Sequence, residues 1–517
     1  MTAAALRFDV GRESSYRRVD VRTCRRKRSG TGLPIFIVAA AVVGFSATRV
    51  SGGPLDDSHV ADTGFSGPTT GDLTAVYWNP AGLGLLQGPQ LMLGGAIAAT
   101  SVSVNRTSID PQTGTNPGSL AFPTATGSAL AQPLRWPPGP QSFMAVGIGI
   151  GHRFGIAVAL YSPFSTRLTM QPSADGQEPT RYHLVSMELD HIALTPAIAI
   201  HASDSIQLGV ATGFLFPTAH LVFDQDAALL DPSLAAGVEN PAAAARYNMA
   251  TQGLLAPSYL ITAGGDYRRG RLALGFAYTS APLGTGGAVT LPLENVQITL
   301  PPALADQTLC VNRAGNCVVG QMTYHLPSIY TLGASWQVAR YWSLTGIARW
   351  LRYGGSDNIT IVLSGPAAQP MLGTVLPNQM VLYQGFVDSF DLRARLAYAT
   401  KDFRVGGTFR VETSAVPPAN VNAAAIDGTK LEPSLAADVH IWRQTRLGVS
   451  YAFLWMLPVA TGASVFNPAA VAACNAAGGD LTNPACQERM NGQAQPSAAG
   501  TYHLWRQTLS VYTTIGL

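Results

Sequence analysis

The sequence predicts an all-β fold: a transmembrane antiparallel β-barrel of about 14 strands. Of its 517 residues 47% are hydrophobic and only 12% are charged, whereas a soluble domain has about 25% charged residues. After the N-terminal region no run approaches the ~20 consecutive apolar residues of a spanning helix. From Gln90 onward apolar residues alternate with small or polar ones in runs typical of barrel strands.

The alternation gives each run one apolar face and one polar face. At the C-terminus Leu509, Val511 and Ile515 share a face, and Ser510 and Tyr512 share the other. The runs 447–455 and 403–412 follow the same pattern. We expect the apolar face of each run to contact lipid and the other face to line the lumen.

The connections between runs are of two kinds that alternate along the chain. The tight connections are 151–154, 203–205, 268–271, 338–341, 400–402 and 443–445. The long ones are 107–140, 165–180, 224–256, 281–321, 354–378, 412–432 and 458–500. Such sorting places all long loops on one side of the membrane and tight turns on the periplasmic side, and it predicts an even number of strands.

A soluble β-sandwich is the alternative fold, but it does not sort its loops in this way. Nor does a sandwich need aromatic residues near many strand ends, where a barrel uses them as interfacial girdles. The expected girdle residues are Tyr161, Tyr278, Tyr330, Trp336, Trp342, Trp350, Tyr398, Trp442, Trp455 and Trp505. Two stretches break the β pattern, and one of them, 226–253, is Ala-rich and predicts short helices in an external loop.

Residues 1–52 have the features of an export signal with an N-terminal leader. Basic residues between Arg22 and Arg28 precede the apolar run 33–45, which is too short to span a membrane. Residues 1–50 carry ten basic and three acidic groups, leaving 23 basic and 27 acidic groups elsewhere. Because the basic character belongs to the leader, no nucleic-acid partner is indicated.

The second stretch that breaks the β pattern, residues 53–87, lies between the leader and the barrel, which we assign to 88–517. Its centre is Asn79-Pro80-Ala81-Gly82-Leu83. Pro80 disfavours the α conformation at Asn79, and Gly82 is free to adopt a positive φ, so a rigid turn is expected. A barrel of this size has a bore wide enough to need filling, and we interpret 53–87 as a lumenal plug.

These features together resemble the FadL-type outer-membrane transporters of long-chain fatty acids and other hydrophobic compounds. The run Tyr77 to Leu83 resembles the hatch motif of that family. Further similarities are Tyr161-Ser162-Pro163-Phe164, Leu326-Pro327, Phe403-Arg404-Val405-Gly406 and Ser414-Ala415-Val416-Pro417-Pro418. The resemblance implies passive transport, with capture by external loops and a lateral opening beside a kinked third strand at Pro163 and Phe164. Two departures are Ser165, where the family usually has glycine, and the terminal Leu517 in place of an aromatic residue.

The four cysteines beyond the leader form two local pairs, Cys310/Cys317 and Cys474/Cys486. In an oxidising compartment we expect two short-range disulfides. A zinc site is the alternative, but the CxxC spacing is absent, and we expect no metal.

Several residues are candidates for binding a hydrophobic ligand. A fatty-acid carboxylate would need a lumenal cation, and Arg349, Arg393, Arg395, Arg404 and Arg410 fall on the lumenal face. Pairing with inward acids such as Asp391 and Glu412 is the favoured explanation for each of them, and if any arginine binds the ligand we name Arg349 and Arg410 first. Leu229, Leu230, Leu234 and Met249 are candidates for a capture groove, or for internal loop packing.

No enzyme site is recognised. The glycines at 147, 149 and 151 repeat at period two within a strand, and no GxSxG motif is present. We therefore expect a protein of the Gram-negative outer membrane that is not an enzyme, has no cofactor, and acts as a monomer in contact with outer-membrane lipid. Its ligand would be a hydrophobic small molecule, a fatty acid or a hydrocarbon; the alternative function is a general diffusion porin or structural barrel.

Overall fold

A computed structural model describes residues 60–106, 125–130, 142–151, 153–170, 179–226, 239, 244–252, 256–300, 308–309, 318–353, 357–364, 379–442, 445–478, 483–490 and 493–517. The strands are β1 (Gly88–Arg106), β2 (Ala125–Leu130), β3 (Phe143–Ile150), β4 (Phe154–Tyr161), β5 (Thr166–Thr169), β6 (Ser186–Ser203), β7 (Ile206–Asp226), β8 (Ala244–Ala250), β9 (Ser258–Arg269), β10 (Leu272–Thr279), β11 (Ala288–Leu293), β12 (Asn295–Thr299), β13 (Thr308–Leu309), β14 (Val319–His325), β15 (Ser328–Gln337), β16 (Trp342–Arg352), β17 (Asp357–Ser364), β18 (Gln379–Phe386), β19 (Ser389–Ala399), β20 (Phe403–Glu412), β21 (Lys430–Trp442), β22 (Thr445–Thr461) and β23 (Gly500–Gly516). The helices are α1 (Ala75–Trp78), α2 (Ala470–Ala476) and α3 (Gln487–Met490), with 3-10 turns at Pro80–Leu85, Pro418–Asn420 and Pro484–Cys486. Within the described ranges, no helix has the length and apolarity needed to cross a membrane.

The strands close into a barrel because the first described strand pairs with the last. β1 and β23 are antiparallel from Gln90↔Gly516 to Arg106↔Gly500. Among the described residues the ring contains fourteen antiparallel strands in the order β1, β3, β4, β6, β7, β9, β10, β15, β16, β19, β20, β21, β22, β23. The predicted fold class and strand number are confirmed.

The six tight connections fall where the sequence places them, as between Ile150 and Phe154. The long connections contain more regular structure than expected. Residues Ala244–Ala250, expected to be helical, form β8, which pairs with β7 and β12. Among the described residues, short helices in a long connection occur as α2 and α3, before the last strand, and most of the predicted helical stretch before Ala244 lies outside the described residues. Alanine-rich composition favours helix, but at β8 the ladder bonds to two neighbouring strands outweigh that preference.

A second sheet extends the wall on the side of the long connections. β11, β14, β17 and β18 pair in that order. Its inner face is apolar and fully packed, as Leu291, Met322 and Ile361 show with at most 3% of their surface exposed. These residues belong to the same core cluster as Tyr247 and Met249 of β8, so the second sheet and β8 share one hydrophobic core.

The outer surface carries two rows of aromatic residues on neighbouring strands. One row joins Tyr278, Tyr330, Trp350 and Phe390 with ring-centroid separations of 4.9–6.3 Å. The other, near the tight turns, joins Tyr341, Trp342, Tyr398 and Phe403. On β16 these rows lie eight residues apart, roughly 20 Å along the barrel axis for a tilted strand, close to the ~25 Å apolar band of outer-membrane barrels. Tyr161 is an exception to the expected girdle, because it is buried and faces the lumen.

Candidate functional site

Residues 60–86 lie inside the barrel, where they form the lumenal segment that we call the plug. Leu73, Ala75, Asn79, Ala81 and Leu83 have no exposed surface. The segment has little regular structure: one turn of helix, α1, followed by the 3-10 turn Pro80–Leu85. The Asp72 side chain accepts a hydrogen bond from the Thr74 amide at 2.9 Å and so fixes the start of α1.

Asn79 holds three parts of this region together. It has the extended conformation expected before Pro80, with φ −168° and ψ 101°. Its Nδ2 donates to the Pro68 carbonyl at 2.7 Å and to the Gly265 carbonyl of β9 at 3.0 Å, while its Oδ1 accepts from the Ala81 amide. One side chain therefore caps the 3-10 turn, joins it to the preceding loop and fastens both to the wall.

Gly82 is needed for a reason other than the one expected. Its φ is not positive; instead, a Cβ at this position would lie 2.2 Å from the Thr70 carbonyl oxygen. The glycine thus allows two backbone segments of the plug to approach each other closely.

On one side the plug contacts inward-facing glycines of the wall, which we call the glycine side. A Cβ on Gly209 would lie 2.4 Å from the Ala81 amide nitrogen, and one on Gly155 would lie 2.0 Å from the Leu83 carbonyl oxygen. Four further wall glycines make equally close contacts, with Leu86, Asn79 and Pro68: Gly149, Gly264, Gly275 and Gly333. Any side chain at these positions would displace plug atoms, which are backbone atoms at Gly149, Gly155, Gly209 and Gly275 and side-chain atoms at Gly264 and Gly333.

On the other side the plug contacts arginines of β16 and β19, the arginine side. The guanidinium groups of Arg349 and Arg393 lie over the Trp78 ring, at 5.2 and 5.0 Å from its centroid. Arg349 also donates to the Tyr77 hydroxyl at 3.2 Å. Arg395 donates from Nη1 to the Gly64 carbonyl at 3.0 Å and the Ser66 carbonyl at 2.9 Å. Here side chains rather than backbone atoms of the wall hold the plug.

A buried carboxylate holds these arginines in place. Asp391 lies 2.7 Å from Arg393, 3.1 Å from Arg410 and 3.9 Å from Arg349. Arg410 is surrounded by carboxylates, since it also pairs with Glu412 and with Glu432 at 3.3 Å. Of the two arginines named as first candidates, Arg349 contacts the plug and Arg410 lies inside a network of acids.

The third barrel strand is interrupted beside the plug. β4 pairs with β6 up to Tyr161↔Ala193, and β5 resumes at Thr166↔Leu189. Between them Phe164 has a φ of 53°, a left-handed conformation that is uncommon for a residue other than glycine. Within the described part of the chain, β5 forms a ladder with β6 alone. The predicted opening-strand residues Pro163 and Phe164 therefore lie at a break in the wall.

The serines at this break replace the missing strand partner. The His191 amide donates to Ser165 Oγ at 3.0 Å, and the His191 carbonyl accepts from Ser162 Oγ at 2.8 Å. In an unbroken strand these two groups of His191 would bond the neighbouring backbone. The departure from glycine at 165 thus has a structural role, because the hydroxyl satisfies a buried amide.

An aromatic contact connects the break to the plug. The Tyr161 ring packs edge-on against Tyr77 at 5.5 Å, and Tyr77 packs in the same way against Trp78. On the opposite side of the break, Phe164 contacts His191, whose Nε2 lies 2.6 Å from the Tyr324 hydroxyl. A molecule entering at the break would meet aromatic faces before reaching the arginine side.

The structure describes only some of the loop residues that were predicted to form a capture groove or disulfides. Met249 is fully buried in β8, whereas Leu229, Leu230 and Leu234 lie outside the described residues. Cys474 and Cys486 are joined by a disulfide between α2 and the 3-10 turn at Pro484–Cys486. Cys310 and Cys317 lie outside the described residues.

Sequence reasoning did not identify the glycine side, of which it noted only Gly149 as part of a period-two repeat, and it did not identify Arg395 as a plug contact. The signal present in the sequence is a glycine at an inward, period-two position in several strands, as at Gly155, Gly209, Gly275 and Gly333. Which backbone those glycines meet is not encoded locally.

A closed antiparallel barrel with a plugged lumen and an interrupted third strand is the architecture of an outer-membrane transport protein. The chain belongs to the family described as outer membrane protein transport protein (OMPP1/FadL/TodX), whose model matches residues 57–408. That family transports hydrophobic compounds across the Gram-negative outer membrane and consists of transporters rather than enzymes.

Solved structures share the fold at low sequence identity. A Pseudomonas aeruginosa FadL homologue is 15% identical with a TM-score of 0.62, and the match covers 91% of this chain and 100% of that one. The P. putida toluene transporter TodX is 13% identical with a TM-score of 0.56, covering 89% and 97%. The CymD monoaromatic hydrocarbon channel is 11% identical with a TM-score of 0.54, covering 92% and 99%. No curated protein sequence matches the chain.

Proposed function

We propose that this protein carries long-chain fatty acids or other hydrophobic small molecules passively across the outer membrane. In this proposal the external loops capture the molecule, which then passes the break in the third strand and leaves past the displaced plug. The observation that carries the proposal is the position of the break at Ser162–Ser165, one aromatic contact away from Tyr77 of the plug.

The apolar surroundings of this passage suit such a cargo. Phe164, Leu168, Leu189 and Leu215 are buried on the lumenal side of the break. An alkyl chain gains about 0.8 kcal/mol for each CH₂ group removed from water, so a side-chain-lined route is favourable for it. A small polar solute gains nothing from the same route and meets the plug.

We propose a role for Arg349 that depends on whether the cargo is charged. A fatty-acid carboxylate that reached Arg349 would compete with the Tyr77 hydroxyl and the Trp78 ring for the guanidinium. Binding would thereby weaken the arginine side of the plug and couple cargo arrival to release. Arg410 is the weaker candidate because three acids already surround it. An uncharged hydrocarbon, the cargo in the names of TodX and CymD, would need no such exchange.

Paired uptake measurements test this assignment. Cells lacking their own transporter would express the wild type, Arg349→Met, or the control Arg446→Met, which removes an arginine paired with Asp438 rather than with the plug. If the cargo is a fatty acid, Arg349→Met should reduce labelled oleate uptake about tenfold relative to toluene uptake, because loss of the plug contact affects both compounds whereas loss of the carboxylate contact affects oleate alone. Equal changes for both compounds would contradict the carboxylate contact, and no oleate uptake by the wild type would restrict the cargo to uncharged molecules.

Conductance in planar bilayers separates the proposal from a general diffusion porin. We expect little constant conductance from the wild type and a large increase after deletion of residues 53–87. A large, constant aqueous conductance of the intact protein would favour the porin. A deletion variant with unchanged permeability to small polar solutes would exclude the plug as the barrier.

A further inference from the structure

The lipid-facing wall contains a concave region between the two aromatic rows. It has a volume of about 920 Å³ and spans strands β9, β10, β15, β16, β19 and β20, with Ile206 of β7 at one edge. Its centre is one row of register partners, Leu274, Ala334, Gly346, Ala394 and Phe409. Three small residues between two large ones make a trough in the outer surface, and a Cβ added to Gly346 would contact nothing within 4 Å.

The trough runs obliquely across the wall. The six strands from β9 to β20 are separated by five spacings of about 4.8 Å, which gives a length of roughly 24 Å. One leaflet of the hydrocarbon region is about 15 Å thick. Because the trough is oblique to the membrane normal, much of its length can lie within a single leaflet, where an extended acyl chain can occupy it. Gly265 and Tyr267 of β9, together with Ile206 of β7, form one end of the trough, close to the tight turns and therefore to the periplasmic surface.

Basic residues lie just beyond that end. Arg269 is two residues past Tyr267 on the same face of β9, and Arg271 follows in the same turn; both are exposed. Arg340, in the next tight turn along this wall, is also exposed and stacks on Tyr341. Over the described ranges, Arg269 and Arg271 have no ion-pair partner among the salt bridges of the structure. The adjacent turn carries one exposed acid, Asp204. The three arginines and this aspartate together have a net charge of +2.

We propose that this trough and its arginines form a binding site for an anionic phospholipid of the periplasmic leaflet. One acyl chain occupies the row from Tyr267 to Phe409, and the phosphate contacts Arg269, Arg271 and Arg340. The charge selects an anionic headgroup, and the position beside the tight turns selects the periplasmic leaflet. The outer leaflet's lipids would present their phosphates at the opposite, long-loop side of the wall.

The site also backs onto the plug. Gly275 and Gly333 lie on the floor of the trough, and their lumenal faces contact Pro68. The wall therefore carries no side chain at these two positions on either surface. A bound acyl chain supplies van der Waals contacts that this thin section otherwise lacks.

Native mass spectrometry of the full-length protein released from nanodiscs tests the site. The discs would contain equal amounts of phosphatidylglycerol and phosphatidylethanolamine of matched chains. We expect the wild type to retain one phosphatidylglycerol in preference to phosphatidylethanolamine. The variant Arg269→Gln/Arg271→Gln/Arg340→Gln should weaken retention on the order of a hundredfold, about fivefold for each arginine. Gly346→Leu should reduce retention by filling the trough, and Ala348→Leu is a second filling variant.

Each control variant makes the same type of change at a position elsewhere on the barrel. Arg153→Gln removes an exposed arginine of another tight turn, and Ala437→Leu enlarges a lipid-facing residue outside the trough; both should retain the lipid. Slower migration of unheated protein on gels would identify any variant that fails to fold. Four results would each overturn the proposal. They are equal retention of both phospholipids, unchanged retention in the charge and filling variants, preferential retention of lipid A, and a complex of two protein chains in place of the lipid.

Discussion

The two sides of the plug are held by different chemistry. On the glycine side the backbone at Pro80 and Ala81 packs directly on wall positions such as Gly209. On the arginine side the same segment is held by long side chains such as Arg349 and Arg395. Close packing changes steeply with distance, whereas a guanidinium can rotate and exchange a carbonyl for water or for a ligand oxygen. From this comparison we propose that the plug begins to move at the arginine side while the glycine side remains in contact.

The largest effect is expected from adding a side chain on the glycine side. Gly209→Leu would place its Cβ 2.4 Å from the Ala81 amide nitrogen, so the plug can no longer occupy its position. We expect a large, constant conductance in planar bilayers and entry of large antibiotics into cells. Ala437→Leu, which enlarges a lipid-facing residue outside the trough, is the control. If Gly209→Leu conducts no more than this control, the glycine side does not position the plug.

A smaller effect is expected at Asn79, which contacts the glycine side through Gly265. Asn79→Ala removes two donated bonds and the cap of the 3-10 turn, a loss of about 2–4 kcal/mol in the stability of the seated plug. Asn79→Asp should be at least as harmful, because a buried carboxylate would face the Pro68 and Gly265 carbonyls. Hydrogen exchange of the amides from 60 to 86 measures both. Wild-type protection in the aspartate variant would show that donation to these carbonyls is unimportant.

The arginine side should loosen without losing the barrel. Arg395→Met removes two charge-assisted bonds to plug carbonyls, and we expect the exchange of amides near Gly64 and Ser66 to accelerate about a hundredfold. The melting temperature of the barrel should change little. If exchange near Ala81 accelerates equally, the two sides release together and the proposed order of motion is wrong.

The smallest effect is expected far from both sides, at His183 in the connection before β6. Burial, reinforced by the positive charge of Arg106, lowers the pKa of His183 to about 3, and its Nε2 lies 2.9 Å from the Pro496 carbonyl. When the loop opens, His183 regains its ordinary pKa and binds a proton more readily than in the closed loop. The closed loop therefore has its full stability above about pH 6.5 and loses stability as the pH falls toward 3. At pH 5 the loss is about 2 kcal/mol.

Hydrogen exchange between pH 7 and pH 4.5 checks this prediction, with His183→Gln as the variant that should lack the dependence. After correction for the slower intrinsic exchange at low pH, protection should fall around residues 183 and 496 and stay constant within 60–86. A parallel loss of protection in the plug would show that opening of the external loop moves the plug, so that the two regions are not independent.

The sequence by itself determined the barrel. Period-two alternation is local and is repeated in every strand, so the lipid face of runs such as Leu447 to Trp455 and the six tight turns could be assigned without knowing any long-range contact. It also placed Asn79-Pro80-Ala81-Gly82-Leu83 in a segment outside the wall, because that stretch lacks alternation.

The contacts of the plug were decided only by the tertiary structure. Gly209 and Gly264 are separated from Ala81 and Asn79 by more than a hundred residues, and a glycine in a strand does not specify which backbone will approach it. The strand at Ala244–Ala250 and the function of Ser165 have the same origin. In each case the partner is chosen by barrel closure, which brings together groups whose sequence neighbours carry no record of the contact.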